Sequence, residues 1–209
     1  MKTEQLIASL ASEAAPKKPA APPLKQLVWW VCGGAAYVAV LLIFFGLRPD
    51  LSARLHAPLF LAELAALAGI VLATGLAAIA LSFPDRYQQS WIVRLPLVPL
   101  LAFIIILALA SQGTPMPPPP QHGVECLLCI SLFTLIPGAL LLYRLRQQAS
   151  VEYHLAGGLA MLAAFSLGAL AFRLSEPTDA ITHLIEWHYL PMLVFGLFGL
   201  WLGQRFLKW

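Results

Sequence analysis

Cys126 and Cys129 stand two residues apart, and His122 lies four residues ahead of Cys126. Sulfur and imidazole donors at this spacing suit thiol redox chemistry or a soft metal ion. On a helix the two cysteines are one turn apart and share a face. A disulfide across that spacing forms only with strain and is easily reduced. As metal ligands the three residues fall one short of a closed tetrahedral zinc site. The competing reading is two buried thiols that act as small hydrophobes. Cys32, expected near the opposite end of the membrane thickness, is read as core. A second cluster, His183 and His188 with Glu176, Asp179 and Glu186, has metal-binding chemistry too, but is expected to be a solvated loop. The chain has no nucleotide-binding glycine loop, no serine-hydrolase elbow and no His-Glu-x-x-His zinc signature.

The elements that must carry these residues are membrane helices. Of 209 residues, 60% are hydrophobic and 11% charged, with mean hydropathy +0.80. Soluble domains carry about 25% charged residues, so the solvent implied is lipid. The net charge of +3 is no signature of nucleic-acid binding. A spanning helix needs about 20 apolar residues, and six runs approach that, at 27–47, 58–83, 95–111, 126–143, 155–173 and 189–207. The fold expected is all-α, a polytopic bundle of six transmembrane helices behind a short N-terminal helix. The division expected is residues 1–26 as a cytoplasmic helix and Pro-rich tether, and residues 27–209 as the transmembrane domain. No apolar stretch precedes Lys25, so the first run is expected to stay as a span rather than be cleaved.

Lys and Arg set the orientation. With the N-terminus cytoplasmic, the inner flanks hold Lys2, Lys17, Lys18, Lys25, Arg86, Arg94, Arg144, Arg146, Arg205 and Lys208, and the outer flanks hold only Arg48, Arg54 and Arg173. Both termini are therefore expected inside, with Cys126 and Cys129 at the outer end of the fourth span, where disulfides are permitted. The outer loop before them carries the run Pro115-Met116-Pro117-Pro118-Pro119-Pro120, which favours a stiff polyproline II strut. The last outer loop is expected to hold a short interfacial helix near 181–187. Glu63 is the one ionisable residue clearly inside a span, and Arg173 ends the fifth span on the same side. The two can pair, or each can reach outer water by itself. So few deep charges argue against an ion or proton path.

Small residues let membrane helices approach. The sixth span supplies Gly196, Gly199 and Gly203, suited to packing within the chain or to a homodimer interface. At the N-terminus, residues 3–11 read as a short helix with Thr3 as N-cap. Leu6, Ile7 and Leu10 share one of its faces. Such a stripe suits a partner's groove or the membrane surface. Ala14 to Pro23 reads as a tether.

Together these features resemble the NrsF family. The resemblance rests on the opening Met1-Lys2-Thr3-Glu4-Gln5-Leu6-Ile7-Ala8-Ser9-Leu10, the Pro-rich tether and six short-looped spans. It extends to Cys126-Leu127 opening the fourth span, Arg144-Leu145-Arg146 closing it, and Gly203-x-Arg205 with a terminal Trp209. The resemblance implies a bacterial inner-membrane anti-sigma factor, not an enzyme. It would hold an extracytoplasmic-function sigma factor at the bilayer and release it under metal or oxidative stress, with no direct contact to nucleic acid. It further implies that the first dozen residues, with Thr3, Leu6, Ile7 and Leu10, bind the sigma factor and that Cys126 senses the signal. The family's second periplasmic cysteine, between the fifth and sixth spans, has no counterpart in Arg173-Leu174-Ser175-Glu176-Pro177. Cys129 can take its place, or a transient soft metal ion can bind Cys126, Cys129 and His122. No resident cofactor is expected. The alternatives are a small membrane transporter or channel, and a thiol-redox membrane protein.

Overall fold

The structure, a computed structural model, describes residues 3–13, 20–83, 90–112, 123–148 and 150–208. His122, the proline run at 115–120, Arg86 and much of the tether lie outside the described residues. All regular structure among the described residues is helical: α1 (Thr3–Glu13), α2 (Pro23–Phe45), α3 (Leu51–Arg54), α4 (Pro58–Leu81), α5 (Ser90–Arg94), α6 (Leu97–Ala110), α7 (Gly123–Arg146), α8 (Tyr153–Arg173), α9 (Ile181–Leu184), a π-helical turn (Ile185–Tyr189) and α10 (Leu190–Phe206). Six stretches are long and apolar enough to cross a bilayer: Pro23–Phe45, Pro58–Leu81, Trp91–Ala110, Gly123–Arg146, Tyr153–Arg173 and Ile181–Phe206. The sixth begins eight residues before the run expected from hydropathy. The segment expected as a separate interfacial helix is its first two turns, with Ile181, Leu184 and Tyr189 buried.

α8 is the central post, packed against α4, α7 and α10. Its sequence explains that position, since Ala156, Gly157, Gly158, Ala160, Ala163, Ala164, Gly168 and Ala169 give it little girth. At its crossing with α10 the backbones nearly touch. A Cβ on Gly157 would fall 2.5 Å from the Gly199 carbonyl oxygen, and one on Gly203 would overlap the Tyr153 carbonyl. The Gly196/Gly199/Gly203 face is thus filled from within the chain. Against α7, Thr134 Oγ1 donates to the Ile130 carbonyl at 2.8 Å beneath Gly168, where a side chain would collide with that hydroxyl.

α2 and α6 are the most exposed spans. α2 turns one stripe inward, Leu27, Trp30, Gly34 and Val38. Cys32 lies off that stripe and is exposed, which corrects its expected place in the core. The stripe meets α7 around Pro137, which lacks the N–H that would bond to the Phe133 carbonyl and loosens the ladder there. Two α2 side chains donate into this region, Tyr37 Oη to the Leu132 carbonyl at 2.8 Å and Trp30 Nε1 to the Pro137 carbonyl at 2.9 Å. Neither bond reaches the freed Phe133 carbonyl; both fasten α2 to α7 beside the proline.

Candidate functional site

The ionisable and metal-ligating groups that are buried gather at the end of the bundle opposite the start of α2. Arg173 closes α8 and donates from Nε to Glu63 Oε1 at 2.8 Å and from an Nη to Asp179 Oδ1 at 2.6 Å. Tyr189 Oη also donates to Glu63. Arg48, buried in the α2–α3 turn, bonds to Asp50 at 2.8 Å and to Asp179 at 2.9 Å. Arg54 pairs with the same two carboxylates. The network is thus three guanidiniums against three carboxylates. Both Arg48 and Arg173 lie over the Phe60 ring, 5.4 and 4.9 Å from its centroid. Desolvated charges are tolerable only when fully paired in this way. Burial works against the charge on Asp179, but hydrogen bonds from Arg48 and Arg173 hold its carboxyl below the usual value. The Arg48 hydrogen bond does the same, more strongly, to Asp50. Of the two alternatives for Glu63 and Arg173, the pair is the one formed. Its extension to Arg48, Asp50, Arg54 and Asp179 was hidden, because short-loop charges in the sequence read only as membrane flanks.

Beside this network Cys126, His183 and His188 converge. Their ligand atoms all lie within 4.8 Å of one another, and all three residues are buried. His183 is 5% exposed and His188 0%, which corrects the expectation of a solvated loop. Cys126 Sγ lies 3.4 Å from His183 Nε2, and the two imidazole centroids are 5.3 Å apart. The π turn accounts for the pairing of the histidines. On a regular helix of 3.6 residues per turn, side chains five apart diverge by about 140°. Here Leu190 N–H bonds to the Ile185 carbonyl five residues back, so a widened turn lies between His183 and His188 and brings them together. Pro191 favours that turn, because it cannot donate to the Trp187 carbonyl and its ring crowds that oxygen. Gly123 completes the approach. A Cβ there would overlap the Trp187 indole, so only glycine lets the first turn of α7 close on the π turn and set Cys126 against the histidines.

Cys129, one turn along α7, is partly buried, and it is not part of this three-residue cluster. Thr3, expected as the N-cap, is the first described residue of α1. Leu6, Ile7 and Leu10 are 44%, 61% and 58% exposed, an apolar stripe left uncovered.

A family described as "Negative regulator of sigma F", NrsF, matches residues 10–209. An anti-sigma-F factor NrsF from Caulobacter vibrioides (strain NA1000 / CB15N) is 29% identical over the full length of both chains. A probable anti-sigma-F factor NrsF from Azospira oryzae (strain ATCC BAA-33 / DSM 13638 / PS) is 27% identical, again over both full lengths. No solved structure matches the chain. With the family's pattern running through all six apolar spans, the chain belongs to the NrsF family of negative regulators of sigma F.

Proposed function

We propose that this protein is a non-enzymatic anti-sigma factor of the bacterial inner membrane. It holds an extracytoplasmic-function sigma factor through residues 1–26 and responds to a periplasmic signal through the thiol- and histidine-bearing end of its bundle. One observation carries the reading: in a family of sigma-factor regulators, the described segment ahead of the spans is a helix whose apolar face, Leu6, Ile7 and Leu10, stands uncovered. An amphipathic helix of this kind docks its apolar face in a hydrophobic groove. The ten-to-three partition of Lys and Arg supports both termini lying in the cytoplasm, which puts α1 on the sigma factor's side and Cys126 on the periplasmic side. Among the described residues the buried charges sit together at one end, an arrangement that disfavours a transport path.

A reporter driven by a promoter of the held sigma factor tests this. Deleting the gene is expected to raise reporter output in unstressed cells. Wild type supplied in trans restores repression, whereas the Leu6→Asp/Leu10→Asp variant reaches the membrane and fails to repress. Equal repression by both would remove α1 as the contact, and an unchanged reporter on deletion would overturn the anti-sigma reading.

A further inference from the structure

Three independent features of the buried cluster ask for a ligand. Among the described residues, both ring nitrogens of His188 and Nδ1 of His183 are buried and find no hydrogen-bond partner. A neutral imidazole always carries one N–H and one lone pair, so His188 buries at least one unanswered donor and one unanswered acceptor. Leaving such a group unpaired costs about 1–3 kcal/mol. The cluster is also preformed: a π turn and a glycine contact hold together three residues that are 57 positions apart in the case of Cys126 and His183. Finally, the donor set is one sulfur and two imidazoles, which selects a borderline-soft cation over Mg²⁺ or Ca²⁺.

We propose that Cys126, His183 and His188 form a binding site for a single zinc-class divalent cation. Zn²⁺ would take the Cys126 thiolate and one nitrogen from each imidazole, leaving a fourth position open, as in three-ligand zinc sites. Binding expels the thiol proton to solvent, so the uptake of one cation releases one proton and tightens as pH rises. His188 turns an unpartnered nitrogen to the metal, and His183 offers the nitrogen that otherwise faces Cys126 Sγ. The cation would tie the first turn of α7 to the start of the last span. The site gives the signal of the proposed function a chemical identity and to that extent rests on it. Cation binding itself does not, because no sigma factor takes part.

The test is titration of the reduced, chelator-stripped full-length protein in detergent with Co²⁺, followed by Zn²⁺ competition. One equivalent of Co²⁺ per chain is expected to give the visible bands of a tetrahedral site and a thiolate charge-transfer band, both abolished by Zn²⁺. Cys126→Ser should lose the charge-transfer band. His183→Gln and His188→Gln should each weaken binding by about tenfold or more, the loss that even a supporting group causes at such sites. Cys129→Ser and His122→Ala should bind as wild type does. Because His188 is fully buried, its variant is compared only if its circular dichroism and gel filtration match wild type; the wild-type titration and His183→Gln decide otherwise. A wild type without tetrahedral Co²⁺ bands overturns the proposal. So does retention of tight binding in His183→Gln together with its loss in Cys129→Ser or His122→Ala, which would place the metal at the other donors. Neither result bears on whether a sigma factor is held.

Discussion

Removing one member of the distal charge network should cost more than removing it once its partner is already gone. Arg173→Met strips Glu63 and Asp179 of a shared guanidinium and leaves two cations facing three carboxylates. With Arg173 3% and Glu63 10% exposed at their side chains, water can do little to compensate, and the expected loss is about 3–5 kcal/mol. Glu63→Leu is milder, because Arg173 keeps Asp179 at 2.6 Å. Its cost arises chiefly from the unpaired Tyr189 hydroxyl, about 1–3 kcal/mol. The double variant leaves Arg48 and Arg54 against Asp50 and Asp179, two of each sign. It should therefore be more stable than the sum of the single losses by about 0.5–3 kcal/mol. The assay is unfolding of the detergent-solubilised protein by added SDS, followed by tryptophan fluorescence for wild type and the three variants. Losses that add to within about 0.5 kcal/mol would refute the coupling, and a small loss for Arg173→Met would show that the site is wet.

Other outcomes follow from the same geometry. The lowered Asp50 and Asp179 carboxyls contribute stability that is complete above their ordinary value of 3.8 and lost as pH falls through their lower folded values. The SDS midpoint should thus stay level from neutral pH to about 5 and fall below about 4, and Asp179→Asn should flatten that fall. Gly203→Ala should separate α8 from α10 and cost about 1–3 kcal/mol, whereas Gly33→Ala, with nothing within 4 Å of the new methyl, should cost nothing in the same titration. Trp30→Phe removes the bond to the Pro137 carbonyl and should cost about 0.5–1.5 kcal/mol; an unchanged midpoint would deny that bond a role in holding α2 to α7.

Apolar length alone located the spans, because lipid imposes it directly. Proline and polar flanks fixed most ends to within a few residues, as at Pro58 and Arg173. The last span was read too short: His183, Glu186 and His188 lower the hydropathy of its first two turns, although both histidines are buried. Periodicity could not reveal the meeting of those histidines, since residues five apart diverge on a regular helix, and only the π turn ahead of Pro191 brings them round. The approach of Cys126 was hidden for a different reason. It depends on Gly123 beneath Trp187, a contact between segments with no local signature. Cys32 is exposed because in lipid an apolar residue is as stable facing outward as inward, so hydropathy does not separate the core from the lipid-facing surface.

α1 is proposed to hold a sigma factor. The direct measurement is affinity purification of the full-length protein, gently solubilised from unstressed host cells, with mass spectrometry of what accompanies it. Leu6 and Leu10, 44% and 58% exposed, together offer the surface of about one leucine, worth about 1.5–3 kcal/mol, so the Leu6→Asp/Leu10→Asp variant should bind at least about 10- to 100-fold more weakly. A sigma factor is expected with wild type and none with the variant. A sigma factor absent from wild type, or retained equally by the variant, would contradict it.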